Sequence, residues 1–356
     1  MAAGTPRTVS HEVGSLRPVV YLPTWARWDI MRQRPQFILA AFARAGHPTF
    51  FVDPRESEIR EVDGVSIVPS LNEVPANDAI LYIHFAPVDA MVERFDRPAI
   101  FYDILDDLSI YDEDEAGLPP ERTAAYHHLS LIEVADVVSV SNEVLLERHL
   151  AERDDIVLVA NGVEPERFRA DGPRPDDLPS GGPIIGYHGA VASWFAFDLL
   201  ESVAREEPSW QFVIVGPVDA RAQDEADEVG LLENVHFLGE RPPDSMPRYV
   251  QAFDVGTVWF DVTPMTEGVT PLKVYEYIAA GVPVVSTELP ACVAEPAVRT
   301  AADAETFRDE LREALASRED DEWLSLASTT TESASWSKRL APVFSALDAQ
   351  RLRRVE

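Results

Sequence analysis

Pro271-Leu272-Lys273-Val274-Tyr275-Glu276-Tyr277-Ile278-Ala279-Ala280-Gly281-Val282-Pro283-Val284-Val285 is the stretch whose reading decides the fold. Leu272 to Ala280 reads as a helix, and Val284-Val285 reads as a buried strand. Thr270 is placed to cap the helix, with Pro271 at its first position. A helix N-terminus offers unpaired N–H groups to an anion. Lys273, one turn in, adds a compact positive charge. Glu276 follows three residues later on roughly the same face. An anion at the helix end is the chemistry this arrangement suits; the plain alternative is a surface Lys–Glu pair.

Outward from this stretch, short apolar runs alternate with helical patterns. Val19 to Leu22, Phe50 to Val52, Val65 to Val68, Ile80 to Ile83, Ile100 to Tyr102 and Val137 to Val140 read as strands. Helices fit between most of them, including 121–135 and 142–151. Residues 171–183 hold four prolines and three glycines and read as a linker. The pattern then restarts with Ile184-Ile185, Phe212 to Val215, Val235 to Leu238 and Val255 to Val258. Strands alternating with helices imply parallel sheets covered on both faces. The expected class is α/β: a tail over 1–16, one Rossmann-like domain over 17–170, the linker, a second over 184–334, and a helix over 335–356. Ligands of such sheets lie beyond the carboxyl ends of the strands. Two sheets facing each other place one ligand in the cleft between them.

The 356 residues carry 62 acidic and 30 basic side chains, a net charge of −32. That balance argues against nucleic acid as a partner, which demands basic surface. Only Lys273 and Lys338 are lysine; the other basic residues are arginine. An acidic, lysine-poor surface suits a salt-rich cytoplasm, where self-repulsion is screened, and the chain is expected to gain stability with added KCl. A GC-rich genome with an acidic bias is the alternative source. No apolar run approaches the ~20 residues that span a bilayer. Residues 1–13 lack an apolar signal core, so a cytoplasmic location is expected. The single cysteine, Cys292, excludes an internal disulfide and reads as a small buried hydrophobe.

The long stretch above resembles the donor-binding signature of family 4 glycosyltransferases. Ala135 to Ser141 with Val159 to Phe168 is similar to that family's crossover between domains, and Asn234 to Gly239 to a strand of its donor domain. Met31 to Gln36 and Tyr102 to Asp107 resemble a surface-polysaccharide branch that includes teichuronic acid transferases. The resemblance runs from Pro18 to the C-terminus. It implies the GT-B architecture, two doubly wound Rossmann-like domains facing a cleft. It implies a nucleotide-diphosphate sugar as donor on the second domain and a glycan or lipid-linked acceptor on the first. It also implies hexosyl transfer with retention of configuration, without a required cofactor or metal, in polysaccharide synthesis, with possible peripheral contact with the inner face of the membrane.

The candidate donor site takes Gly189 and Ala190 from a Gly-containing turn after the first strand of the second half. It also takes Gly216 and Arg241 after later strand ends, and Thr270, Pro271, Leu272, Lys273 and Glu276. The family carries an Arg and a Lys after the Gly189 turn; here Ser193, Trp194 and Phe195 stand there. It also carries a second glutamate, whose position falls on Gly268, one residue after Glu267. Glu267 is the candidate replacement at the sugar. Lys273, Glu267 and Asp103 are the catalytic candidates. Arg32, Arg34, His84, Asp103, Asp106 and Asp107 are the acceptor-side candidates. The two arginines can meet the diphosphate or an anionic acceptor, and the aspartates can bind hydroxyls or supply a base. Tyr126-His127-His128 reads as helix surface. A nucleotide-sugar epimerase of the same architecture and a non-catalytic sugar-nucleotide-binding protein are the alternative functions. A nicotinamide enzyme is disfavoured, because no Gly-x-Gly-x-x-Gly follows Val19 to Leu22.

Overall fold

The computed structural model describes residues 16–24, 26–84, 89–106, 123–170 and 172–353. The expected tail before Leu16 and the site candidate Asp107 lie outside them. In the first domain, eight strands form one sheet. They are β1 (Val19–Tyr21), β2 (Thr49–Val52), β3 (Arg60–Val62), β4 (Val65–Val68), β5 (Ile80–Ile83), β6 (Ala99–Ile104), β7 (Val137–Val140) and β8 (Val157–Leu158). Their order is β3-β4-β2-β1-β5-β6-β7-β8. All neighbours are parallel except β3 and β4. That pair turns at Asp63-Gly64, both with positive φ (53° and 78°), the backbone a tight hairpin demands.

The second domain has six parallel strands: β9 (Ile184–His188), β10 (Gln211–Val215), β11 (Val235–Gly239), β12 (Val255–Val258), β13 (Val284–Thr287) and β14 (Val298–Ala301). Their order is β11-β10-β9-β12-β13-β14. In each sheet the winding reverses beside the first strand, between β1 and β5 and between β9 and β12. Those reversals open the crevices where ligands of such sheets sit.

Successive residues of β1 enter different cores. Val19 and Tyr21 join one cluster, with Phe37, Phe42 and Phe51. Val20 joins another, with Leu81, Ile83 and Val138. The alternation follows from strand geometry and covers both sheet faces.

The C-terminal segment packs on the first of these clusters through Trp336, Leu340, Val343 and Leu347. Trp336 stacks on Phe37 with centroids 5.8 Å apart, and Phe344 meets Phe42 edge-on at 4.9 Å. Where one helix was expected, there are two, Trp336–Arg339 and Ala341–Arg353. Pro342 accounts for the break: it has no N–H to give, and its ring would clash with the carbonyl of residue 338 in a continuous helix.

Candidate active site

A cavity of about 730 Å³ lies between the two sheets. Its second-domain wall begins at the turn after β9. Gly189 adopts φ +126° and Gly216, after β10, adopts φ +153°. A methyl group on Gly216 would lie 2.0 Å from the Gly189 carbonyl oxygen, so only glycine lets the two turns meet. Gly189, Ala190 and Gly216 all face the cavity.

The helix Leu272–Ala279 points its N-terminus into the same space, through Thr270, Pro271, Leu272 and Lys273. The expected Thr270 cap is not formed. Pro271 occupies the capping position, and no side chain accepts there. The Thr270 hydroxyl instead donates to the Ser141 carbonyl of the first domain (3.1 Å). The first helical N–H groups have no partner within the helix and are available to a ligand.

Lys273 sits in an aromatic setting. Its Nζ lies 4.4 Å from the Tyr187 ring centre and 4.7 Å from that of Phe260, and donates to the Tyr187 hydroxyl at 3.2 Å. Burial pulls the ammonium down to about 8, and the Glu276 charge opposes that fall. Glu276 is buried in the cavity wall, with Oε2 2.9 Å from Nε2 of His188. That nitrogen has no well-directed hydrogen bond. Trp194 lines the cavity. Arg241 lines it too and is held by Asp177 of the linker (2.7 Å) and by Tyr249 (3.1 Å).

On the first-domain wall the sequence expectations need correction. Asp103 is fully buried, not a cleft carboxylate. It accepts two hydrogen bonds from Arg34 (2.8 and 2.9 Å), one from Tyr82 (2.9 Å) and one from Ser139 (2.5 Å). Burial pushes its carboxyl up, but the Arg34 charge and these donors outweigh burial and hold it below the ordinary value. Four donors thus converge on its two oxygens. Asp103 fixes Arg34, whose remaining edge lines the cavity and donates to Asn161 at 3.1 Å.

Glu267 also departs from expectation. It lies outside the cavity wall, in a short turn of 3-10 helix, 3.5 Å from Arg148 of the first domain. His84 does line the cavity, with Nδ1 2.8 Å from the Tyr21 hydroxyl. Burial pulls its imidazole down to about 4, so it is neutral at pH 7. Asp106 is an exposed cavity-wall residue, and Arg32 lines the same cavity. His128, expected on a surface, is fully buried; its Nδ1 lies 2.6 Å from the Tyr102 hydroxyl and its Nε2 3.3 Å from that of His149.

Two residues that the sequence reading did not place in the site line it: Asn161 and Arg167. Asn161 joins the domains. Its Nδ2 donates to the Thr270 carbonyl (2.5 Å), just ahead of the helix that carries Lys273. Asn142 makes a similar bond to the Gly268 carbonyl (2.5 Å). No group of three or more potential metal ligands is present among the described residues.

Residues 182–317 match the family described as Glycosyl transferases group 1. A putative teichuronic acid biosynthesis glycosyltransferase of Bacillus subtilis, TuaH, is 33% identical over 169 residues. That alignment spans 46% of this chain and 43% of the relative, so less than half of the curated relative is matched. Among solved structures, sucrose-phosphate synthase from Thermosynechococcus elongatus aligns with a TM-score of 0.66 at 15% identity, covering 95% of this chain and 98% of that one. WaaG, a glycosyltransferase involved in lipopolysaccharide biosynthesis, aligns at 0.60 and 15% identity, covering 92% and 98%. Anabaena Alr3699/HepE, solved with UDP and glucose, aligns at 0.59 and 14% identity, covering 96% and 100%. The chain has the GT-B fold, and the half that holds Lys273 and Glu276 is the half that matches the group 1 glycosyltransferases.

Proposed function

We propose that this protein is a glycosyltransferase of surface-polysaccharide synthesis that uses a nucleotide-diphosphate sugar. The observation that carries the reading is the convergence of Lys273, Glu276 and a helix N-terminus on the Gly189–Gly216 turns. Lys273 and the helix N–H groups meet the diphosphate, and Glu276 accepts the ribose hydroxyls. The matched TuaH supports polysaccharide synthesis, and HepE, solved with UDP and glucose, supports the donor class.

We read the transfer as hexosyl, retaining and metal-independent. The bond from the sugar's anomeric carbon to the leaving phosphate oxygen breaks, and its electron pair stays on that oxygen. The acceptor hydroxyl attacks the same face, and its proton passes to the leaving oxygen. Lys273 neutralises the charge that grows there, and the cleft supplies positioning. Asp103 and Glu267 have no part in this scheme; Asp103 sets Arg34, and Glu267 faces Arg148. The acceptor, a glycan or a lipid-linked sugar, enters beside Arg32, His84 and Asp106. No helix among the described residues is long and apolar enough to cross a membrane. We place the enzyme in the cytoplasm, acting at the inner membrane face.

Titration of UDP into the parent and Glu276→Ala tests the donor site. Loss of a hydrogen-bonded charge costs roughly 1.5–3 kcal/mol, about 10- to 150-fold in Kd. Equal affinity of the two proteins for UDP removes Glu276 from the site and the reading with it.

A further inference from the structure

Among the described residues, five cationic side chains line the cleft of a chain whose net charge is −32: Arg32, Arg34, Arg167, Arg241 and Lys273. Three are already accounted for. Arg34 is locked on buried Asp103, Arg241 is held by Asp177, and Lys273 belongs to the donor helix. Arg32 and Arg167 remain. They come from different parts of the fold: Arg32 from the turn ahead of the helix Arg34–Arg44, and Arg167 from the crossover helix Pro165–Arg169.

Both side chains are mostly buried, 12% and 20% exposed. Each lies near an aromatic ring, Arg32 5.8 Å from the centre of Trp28 and Arg167 6.0 Å from that of Phe37. Burial, and then the nearby charge of Arg32, pull the Arg167 guanidinium below its ordinary value. Their own carboxylates are poor company. Arg32 pairs with Asp63 (2.5 Å) and Arg167 with Asp244 (3.2 Å), and those aspartates are 43% and 88% exposed. Pairs with such solvated partners are worth about 0–1 kcal/mol and are easily exchanged. Buried Glu164 lies 4.0 Å from Arg32 and 3.9 Å from Arg167 and is already taken by Arg44, and buried Glu276 of the opposite wall also acts on Arg167. Three guanidinium groups therefore share Glu164.

We propose that Arg32 and Arg167 form an anion subsite at the cleft wall that receives a carboxylate or phosphate borne by the sugar acceptor. Paired guanidinium forks are suited to either group. The inference rests on the glycosyltransferase reading, which assigns the donor diphosphate to Lys273 and the glycine turns. The diphosphate itself is the competing occupant, and the test separates the two.

The experiment titrates glucose, glucuronic acid and glucose 6-phosphate into the full chain saturated with UDP. The acidic sugars are expected to bind at least tenfold tighter than glucose. Arg167→Gln and Arg32→Gln should each cut that preference at least fivefold and leave the UDP Kd within twofold. Where Arg167→Gln lowers the melting temperature, Arg167→Lys and Arg32→Gln carry the test at full fold. Equal binding of acidic and neutral sugars by the parent overturns the proposal, as does an acid preference that survives both substitutions. A tenfold loss of UDP affinity in the arginine variants gives the pair to the donor diphosphate and overturns it too. Failure of the parent to bind UDP is a different result: it sinks the transferase reading, and the subsite falls with it.

Discussion

Gly216→Ala perturbs the donor turns without touching any charged group. The added methyl carbon would stand 2.0 Å from the Gly189 oxygen, 2.7 Å from its carbonyl carbon and 3.2 Å from its nitrogen. All three are backbone atoms, so no side chain can swing aside. Relief to ordinary contact moves one turn by more than about 1 Å. The backbone itself stands at φ +153°, outside the range of L-residues. Strain of that kind costs about 1–3 kcal/mol, and overpacking costs about another 1–3 kcal/mol. Together they amount to about 2–6 kcal/mol, on the order of 10 °C in the melting temperature of a domain this size. Gly281→Ala is the control: its φ is +73° and no atom lies within 4 Å of the added carbon, so it carries backbone strain alone. Differential scanning calorimetry and UDP titration on both variants measure the two consequences. Gly216→Ala should melt well below Gly281→Ala and lose most of its UDP affinity, because Gly189 and Lys273 are displaced together. If the two variants melt alike and Gly216→Ala binds UDP as the parent does, the contact between the turns does not shape the donor site.

Asp103→Asn leaves Arg34 buried without its carboxylate; chemical denaturation should register a loss of about 3–5 kcal/mol, and an unchanged midpoint would show that the pair contributes nothing. The Asp103 carboxyl is held below its unfolded value, so its contribution is present above about pH 4 and lost as pH falls through the folded value; acid unfolding of the variant should lack that component. Lys273 loses its proton as pH rises through about 8, so UDP affinity should fall about twofold from pH 7 to 8 and by up to about tenfold per pH unit above it. Calorimetric titrations to pH 10 that stay level would remove the ammonium from diphosphate binding. Trp336→Ala should cost about 3–5 kcal/mol, since the indole is buried on Phe37; an unaltered melting temperature would make the C-terminal segment dispensable to the first domain.

The parallel sheets were legible because each buried strand is an apolar run bounded by helical pattern, as at Phe212 to Val215. The helix Leu272–Ala279 was legible because its lysine, glutamate and flanking strand lie within one short stretch. The roles that escaped depend on partners far apart in the chain. Asp103 looks like a strand-end acid until Arg34, 69 residues away, closes on it. Glu267 looks like a displaced catalytic group, and its neighbour Arg148 lies 119 residues away in the chain. His128 is hidden by His149 and Tyr102 from neighbouring elements. Arg167 carries no local signal; its place in the cleft comes from the crossover path. The β3–β4 hairpin is a different kind of miss. Asp63-Gly64 is a readable turn signal, and the polar content of Arg60–Val62 masked the strand before it.

The stapling of Gly268 and Thr270 to the first domain bears on how the cleft can open. Their carbonyls accept from Asn142 and Asn161, and the Thr270 hydroxyl donates to Ser141. The mouth of the donor helix is therefore moored to the opposite domain. A hinge motion either ruptures all three bonds or swings about them as a fixed pivot. At about 0.5–1.5 kcal/mol each, full rupture costs about 1.5–4.5 kcal/mol. That would hold an unmoored form to between about one molecule in ten and one in two thousand. Rotation about this moored strip would lift the Gly189 and Gly216 turns while Thr270 stays behind.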